Sequence, residues 1–584
     1  METVFTEDVL VTAARAPMLA PEVPRGIIIL SASEIEKAPA DNLQDLLSYY
    51  SGIDIRKRGP EGVQADVSIR GGTFEQTLIL LNGVRISDPQ TAHNNLNIPV
   101  NLNDIEKIEI LKGQASGLYG ANALSGVINI ITKKGKKSEL AVNAAAGGFG
   151  FYSAGASLSE PISRLNNRLS FSREHSSGYR YNTDFTNSTI SYNTSLLFSS
   201  GHADIFAGYT DREFGANGFY SDKYLNQRER IKTLFLTASA DYNPGNLAVN
   251  PVFFWRSNKD NYLLDFTRPD FYNNLHTTNS YGSQIQLSYK TSSGTVTAGA
   301  EIGSDDINSN NLGIHNRSTG GFSAGYIFSG VKDFKIIASG YAYKYAGFGW
   351  KLCPGLDAGY NLSGDLNVYF SAGRSFRLPS FTEMYYSSPI QKGNALLHPE
   401  EAVSFETGIK SSDSRISFNA AAFFRKGNNF IDWVRSGADV PWHAENVAEL
   451  TTRGIEAGIQ LHRSFFESLP LNLISLNYTY IDADLVKSPL QSRYVLDHLR
   501  HQLNVMINHD MPLDILMSWS FRYENRFNQD QYFITDGKIS RSLTNFDLYL
   551  QVSNIFNVNY TGTGGIPMPG RWFTGGIRYN LNNF

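Results

Sequence analysis

From about residue 138 onward the chain alternates apolar and polar side chains one by one, and nowhere in its 584 residues does an apolar stretch approach the roughly 18 that a membrane helix needs. In residues 546–552, Phe546, Leu548, Leu550 and Val552 share one side, while Asp547, Tyr549 and Gln551 share the other. Similar ribbons run through 366–372, 416–424 and 474–480. A period of two is the mark of a strand with unlike faces. Lipid offers no hydrogen bonds, so strands that cross it must pair within a closed barrel. About 22 antiparallel strands of roughly 10 residues would use half of this region and leave the rest for connections.

The same alternation suits a soluble propeller or stacked sandwiches. Composition bears on that choice: aromatics reach 12%, with 31 Tyr and 36 Phe, and charged residues make up 18% against an ordinary figure of about 25%. Tyr478, Tyr480 and Trp572 fall at strand ends, where an aromatic girdle meets a membrane surface. Residues 258–274 and 387–397 read as long polar loops on the outer side. A net charge of -4 with scattered Lys and Arg gives no footprint for nucleic acid. Cys353 is the only cysteine, which excludes an internal disulfide and a Cys-based zinc site and reads as a packed small side chain. No charged leader followed by an apolar run opens the chain, so an export signal is expected to have been removed.

Before the basic run Lys133, Lys134, Gly135, Lys136, Lys137 the texture is different. Ser33 is expected to cap a short helix through Ile35, and Asp41 a second through Leu46. Residues 67–70, 78–81, 105–111 and 127–132 read as strands separated by Gly, Asn and Asp. Asn82-Gly83 predicts a tight hairpin, and Gly113 and Gly120 permit turns or close approach. This is a compact α+β unit ahead of the barrel.

The order of short motifs carries a resemblance over essentially the whole chain. Ile69-Arg-Gly-Gly72, residues 80–85 (Leu-Leu-Asn-Gly-Val-Arg), residues 105–113 (Ile-Glu-Lys-Ile-Glu-Ile-Leu-Lys-Gly), residues 118–122 and residues 126–132 follow one another as in the plugs of TonB-dependent outer-membrane receptors. Residues 375–383, 394–401, 553–557 and 567–571 resemble the barrel signatures of the same family. Among its members the chain looks most like cobalamin receptors. The resemblance implies a mainly β protein, a ~22-stranded transmembrane barrel holding an α+β plug in its lumen. Residues 1–20 would be a periplasmic segment, 21–135 the plug and 136–584 the barrel.

What it implies about function is uptake of a scarce, bulky nutrient across the outer membrane of a Gram-negative bacterium. A corrinoid is the first candidate and a ferric siderophore or haem the alternative. Glu7, Asp8, Val9, Leu10, Val11, Thr12 and Ala13 resemble a TonB box, which would add a strand to a TonB-type periplasmic energy-transducing partner. Arg70, Arg85, Glu106, Glu109 and Lys112 are expected to face charges on the barrel wall. Gln90, Thr91, His93, Asn94 and Asn95, on the apical loop of residues 88–97, and Phe214, Asn217, Phe219 and Tyr220 are candidate ligand contacts. A lone histidine such as His93 reads as a hydrogen-bonding loop residue before a metal ligand. No cofactor and no metal are expected to be required; calcium in outer loops, at Asp260, Asp265 and Asp270, is left open because no EF-hand pattern joins them. Phe584 matches the terminal aromatic of outer-membrane assembly signals, although Ile577, Tyr579 and Leu581 alternate on odd positions, which predicts a bulge or a frayed tail. Outer-membrane lipid surrounds such a barrel, and a surface lipoprotein lid is a further expected kind of partner.

Two other classes stand against transport by energised uptake. Gly321-Phe-Ser-Ala-Gly325 matches the G-x-S-x-G nucleophile pattern, but in a Gly-rich ribbon with no helix after it, so no enzyme is expected. No phosphate loop and no H-E-x-x-H occurs, so energy for transport must come from a partner. A passive porin or adhesive receptor is the remaining rival, and a folded stopper is what neither requires.

Overall fold

The computed structural model describes residues 10–11, 18–60, 63–220, 223–437, 439–447, 449–485, 490–495, 497–527 and 529–582. Twenty-two antiparallel strands, joined in sequence order, close into a barrel between Glu139–Gly147 and Trp572–Asn582. The seam is in continuous register, from Glu139 opposite Asn582 to Gly147 opposite Thr574. That pairing carries through Leu581, so the odd-position alternation ends with the strand itself; Phe584 lies outside the described residues.

Closure satisfies every strand edge, and the side chains then sort by solvent. Leu548 and Leu550 are 41% and 50% exposed on the outside, while Gln551 between the sheet and the lumen is 1% exposed. Apolar side chains face lipid and polar ones face inward, the inverse of a soluble sandwich. Strands run from 8 residues (Phe546–Ser553) to 19 (Asn273–Thr291 and Gly313–Val331). The longest exceed the roughly 9–11 residues that a tilted strand needs to cross a bilayer, so they stand beyond it.

Two loop expectations and one girdle expectation are corrected. Residues 258–263 continue the strand Leu247–Leu263, which pairs with Asn273–Thr291, so the connection is only 264–272. Lys259, Asp260 and Asn261 misled because Asp260 faces the polar lumen while Lys259 and Asn261 lie on the outward face of a strand long enough to stand beyond the bilayer. Residues 387–397 contain the short strands Ser387–Ser388 and Gln391–Lys392, part of a five-stranded outer sheet with Trp442–Asn446, Ile431–Arg435 and Gln491–Ser492. Trp572 is no girdle residue: it is buried against Phe149 and Phe151.

Inside the barrel sits a sheet ordered Ile27–Ser31, Ile105–Lys112, Gly126–Thr132, Thr77–Leu81, Val84–Arg85, beside a hairpin of Ile53–Lys57 and Ala65–Ile69. Asn82 (φ 52°) and Gly83 (φ 79°) both lie in the left-handed region, the turn that a two-residue hairpin demands. The helix Ala32–Lys37 is capped by Ser31, with Glu34 returning the bond, rather than by Ser33; Leu43–Ser48 is capped by Asn42 rather than Asp41. In both, the residue one or two places away had the backbone angle that lets its side chain reach an N3 amide. Leu46, Leu47, Ile53, Ile79 and Ile128 make the plug's dry core, extended by Phe206, Phe235 and Met506 of the wall.

Candidate functional site

The plug meets the wall through buried charge. Arg70 follows the strand Ala65–Ile69 at φ 50°, with Gly71 at 66°, a turn that directs the guanidinium outward. It pairs with Glu406 at 2.6 Å and Glu456 at 2.9 Å, and lies 4.5 Å over the ring of Phe423. Lys112 shares Glu456 at 3.1 Å and donates to the Ser51 carbonyl at 2.8 Å. Two cations thus balance two carboxylates away from water, an arrangement in which losing one member costs about 3–5 kcal/mol. Gly113 stands against this cluster; a Cβ there would lie 2.9 Å from Glu406.

Of the other expected wall contacts, Arg85 donates to the Tyr119 carbonyl at 2.7 Å and to the wall hydroxyl of Tyr343 at 3.0 Å. The close approach of Tyr343 requires glycine at 120, since a Cβ there would fall 2.1 Å from its ring. Glu106 and Glu109 are placed differently from expectation. Glu106 sits at a bulge of its strand, exposed and with no ion pair among the described residues. Glu109 pairs with Lys107 at 2.9 Å within the plug sheet. Alternation along Ile105–Lys112 decides this: charge is legible in the sequence, whereas the direction of each strand face is not.

Sequence reading missed several pairs. Arg25 meets Asp357 at 2.5 Å, Arg168 meets Asp104 at 2.7 Å, and Arg526 forks onto Asp54 at 2.6 and 2.7 Å. Burial pushes the Asp54 carboxyl up, but Arg526 and then Arg56 outweigh it and hold it at about 2. These partners lie far apart in the chain with no motif between them, so only the fold could join them.

The apical loop of residues 88–97 is covered rather than open. Asp88 pairs with Arg256 at 3.1 Å and accepts from Asn258 at 2.7 Å. Gln90 donates to Asp260 at 2.8 Å, Thr91 caps the turn Ala92–Asn94, and Asn94 and Asn95 bond Asp88 by side chain. His93 donates to Asp66 at 2.6 Å and stacks on Phe74 at 4.3 Å. Burial lowers the His93 ring despite Asp66 beside it, which favours the neutral imidazole.

A strap from the outer side lies directly on this loop. Its helix, Phe381–Tyr385, is opened by a capping box of Ser380 and Glu383, and its first amides, Phe381 and Thr382, donate to the carbonyls of Pro89 and Gln90 at 2.9 and 3.0 Å. At the strap's root, Arg377 holds three carboxylates: Glu75 of the plug, Glu383 at 2.9 Å and Glu400 at 2.6 Å. Gln76 also donates to Glu400, at 2.7 Å. Burial and the neighbouring Glu383 push the Glu75 carboxyl well up against the pull of Arg377. The S-x-x-E of Ser380 and Glu383 was a readable cap; its plug partner Glu75 had no signal.

Phe214, Asn217 and Phe219 are likewise not at an open ligand surface. Phe214 and Phe219 are buried with Phe151, Phe185, Ile231, Trp572 and the plug's Val63. Asn217 donates to the Tyr181 carbonyl at 2.8 Å, and Tyr220 donates to Gln64 and Glu229, both at 3.1 Å. Aromatic loops at a barrel rim bury each other when nothing else covers them. Asp265 serves a local turn with Thr267 and Arg268, Asp260 binds Gln90, and Asp270 is exposed. Among the described residues no three metal-ligating side chains come together. Gly321–Gly325 lies inside the strand Gly313–Val331, with no nucleophile turn. Of the box, Leu10 and Val11 pair with Met18 and Leu19 in a two-stranded ribbon; Glu7, Asp8, Val9, Thr12 and Ala13 lie outside the described residues.

Similarity agrees with this architecture. Residues 132–582 match the family described as TonB dependent receptor-like, beta-barrel, and residues 20–127 match the TonB-dependent Receptor Plug Domain. The Vitamin B12 transporter BtuB of Vibrio vulnificus is 26% identical over 475 residues, 78% of this chain and 75% of that protein. The protein of that name from Photobacterium profundum is 23% identical over 496 residues, 81% and 78% of the two. Among solved structures, the FrpB iron transporter from Neisseria meningitidis superposes with a TM-score of 0.80 at 13% identity, covering 95% of this chain and 99% of that one. The siderophore receptor PirA from Pseudomonas aeruginosa gives 0.76 at 18% identity, covering 95% and 99%. A barrel closed on itself, a plug seated on its wall by buried ion pairs and family matches spanning both make this chain a member of the TonB-dependent receptors, outer-membrane transport proteins of Gram-negative bacteria.

Proposed function

We propose that the ligand is a corrinoid of the cobalamin type and that residues 7–13 are the segment gripped by the periplasmic TonB partner. The observation that carries the corrinoid reading is the naming of the curated relatives above as vitamin B12 transporters, over about four fifths of this chain. The apex supports it chemically. Gln90, Asn94, Asn95 and Asn258 now satisfy Asp88 and Asp260, and their amides would re-pair with the amide-bearing rim of a corrinoid once the strap lifts.

Ligand arrival would then displace residues 378–386, loosen the contacts at Glu75, Pro89 and Gln90, and so report to the plug. Force through residues 7–13 would do the rest. Calcium in outer loops and a surface lipoprotein lid remain secondary proposals with no residue of their own. A second reading, a ferric siderophore, draws on Arg435 lying 4.3 Å over Trp442, with Arg493 5.9 Å from the same ring, which offers charge and aromatic faces to an anionic chelate.

Calorimetric titration of the purified protein with cyanocobalamin and with ferric enterobactin separates these two. Absence of heat with cyanocobalamin at micromolar protein removes the corrinoid reading. Uptake that survives deletion of residues 7–13 removes the assignment of the box.

A further inference from the structure

The inner wall of the barrel is two-sided. Over most of its circumference it bears charged or aromatic side chains that hold the plug, among them Tyr343, Asp357, Glu406, Glu456 and Arg526. The first five strands, Glu139–Gly147, Tyr152–Ile162, Leu165–Ser176, Phe185–Phe198 and Gly201–Gly215, turn mostly small hydroxyl, amide or alanine groups inward. A cavity of about 2070 Å³ opens beneath the plug at the end with the short turns, where strands from all round the barrel line it, Lys410, Glu456 and Lys538 among them, and one arm of it runs up against these five strands. It climbs past Ser157, Asn143, Ser172 and Thr189 to Ala145 and Glu174, near the outer end of those strands.

Three further observations point the same way. The plug segment facing this wall, residues 95–101, belongs to no strand or helix, so it can move without breaking a sheet. On the lower side the bonds that cross are few, Ser172 to Asn101 and Arg168 to Asp104, while higher up Asn97 donates to Thr233 of the next strand and Leu96 and Ile98 are buried with Phe206. Arg212 lines the cavity, is 9% exposed, leaves its Nε unpartnered and has no ion pair among the described residues. It lies in one row with Asn187 and Glu174, across three adjacent strands. At the top, Phe151 and Ala145 join the cavity to the aromatic cluster of Phe185, Phe214, Phe219 and Trp572.

We propose that this lane is the route of translocation: the ligand slides along the first five strands while residues 95–104 swing aside, Arg212 takes an anionic group of the ligand, and the aromatic cluster is the outer gate. Small hydroxyls and amides suit it to a bulky solute with many hydrogen-bonding groups, because no single site binds strongly enough to stall it. The inference rests on the reading of energised uptake above.

The test uses full-length protein in cells, with cyanocobalamin as probe, or ferric enterobactin where the parent accumulates that instead. A bridge between Asn101→Cys and Ser172→Cys is expected to cut uptake at least tenfold, with surface binding unchanged within twofold and recovery on reduction. A bridge on the far side, Gly117→Cys with Ser339→Cys, is expected to retain at least half. Asn143→Trp narrows the lane without a plug contact and should cut uptake at least fivefold; Arg212→Ala should cut it about threefold. Uptake retained under the first bridge, or lost equally under both, overturns the lane, as does free passage in Asn143→Trp. Failure of the underlying reading is seen separately, as uptake by the unbridged parent that ignores deletion of residues 7–13.

Discussion

The wall around Glu406, Glu456 and Arg526 and the wall of the first five strands share one backbone, an antiparallel ladder, yet they treat the plug in opposite ways. On the first wall the inward charges Glu406, Glu456 and Arg526 are matched by plug residues and are dry. On the second, inward Ser, Thr, Asn and Ala predominate, and apart from Arg168 to Asp104 and Ser172 to Asn101 an arm of the cavity runs between wall and plug. The barrel's hydrogen bonds make the cylinder; the choice of inward side chain makes one arc a seat and the other a passage. A seat built of ion pairs can also let go without exposing an apolar surface, because water can solvate each charge that is released.

The largest expected effect lies on the seated side. Arg70→Ala strands Glu406 and Glu456 without their guanidinium, and should weaken plug seating by about 3–5 kcal/mol. Protease sensitivity of the plug and urea titration would measure it, and a loss below about 1 kcal/mol would mean that the arc is not held by charge.

Acid should act next. Asp54 is depressed from 3.8 to about 2, so its contribution is complete above its unfolded value and disappears as pH falls through the interval from about 4 to about 2. That shift corresponds to roughly 2 kcal/mol. A pH series of plug protection should lose this component in Asp54→Asn.

Glu75 has the opposite sign. Its carboxyl is raised, so its favourable contribution is complete below the ordinary carboxylate range and is lost as pH rises. Glu75→Gln, which keeps a polar partner for Arg377 without the third charge, should hold the strap as firmly or more so by about 1 kcal/mol and flatten the dependence above the ordinary carboxylate range. Hydrogen exchange at the Phe381 and Thr382 amides reads it directly; faster exchange in the variant would reverse the assignment. The smallest effect belongs to the open arc: Ser153→Ala, at a half-buried position that lines the cavity, should change stability by no more than about 0.5 kcal/mol, and a larger cost in thermal unfolding would erase the contrast between the arcs.

Much of the fold was legible because alternation is a local property. The ribbon at 546–552 announces a strand between unlike solvents, and the absence of long apolar runs leaves a closed barrel as the way across lipid. The Asn82-Gly83 turn and the plug strands were readable for the same reason, since backbone angle and strand period are set by neighbours in the chain. Caps were misplaced by one or two residues at Ser31 and Asn42, because several adjacent residues could offer the same side-chain oxygen and only the backbone angle selects among them.

The site was less legible. Arg70 and Lys112 could be suspected as charges in a plug, but their partners Glu406 and Glu456 lie more than three hundred positions away, and nothing local encodes such a meeting. The residues at 214–220 had the chemistry of a ligand loop, yet the tertiary structure buries Phe214 and Phe219 in an aromatic cluster. The sequence by itself determined a long run of two-faced strands behind a folded unit, since period and composition act residue by residue, and its ordered motifs added the resemblance that implies a lipid-crossing barrel. Which arc grips that unit, which arc stands clear and which strap lies over its apex were decided only in three dimensions, because ion pairing and burial depend on how strands distant in the chain are brought face to face.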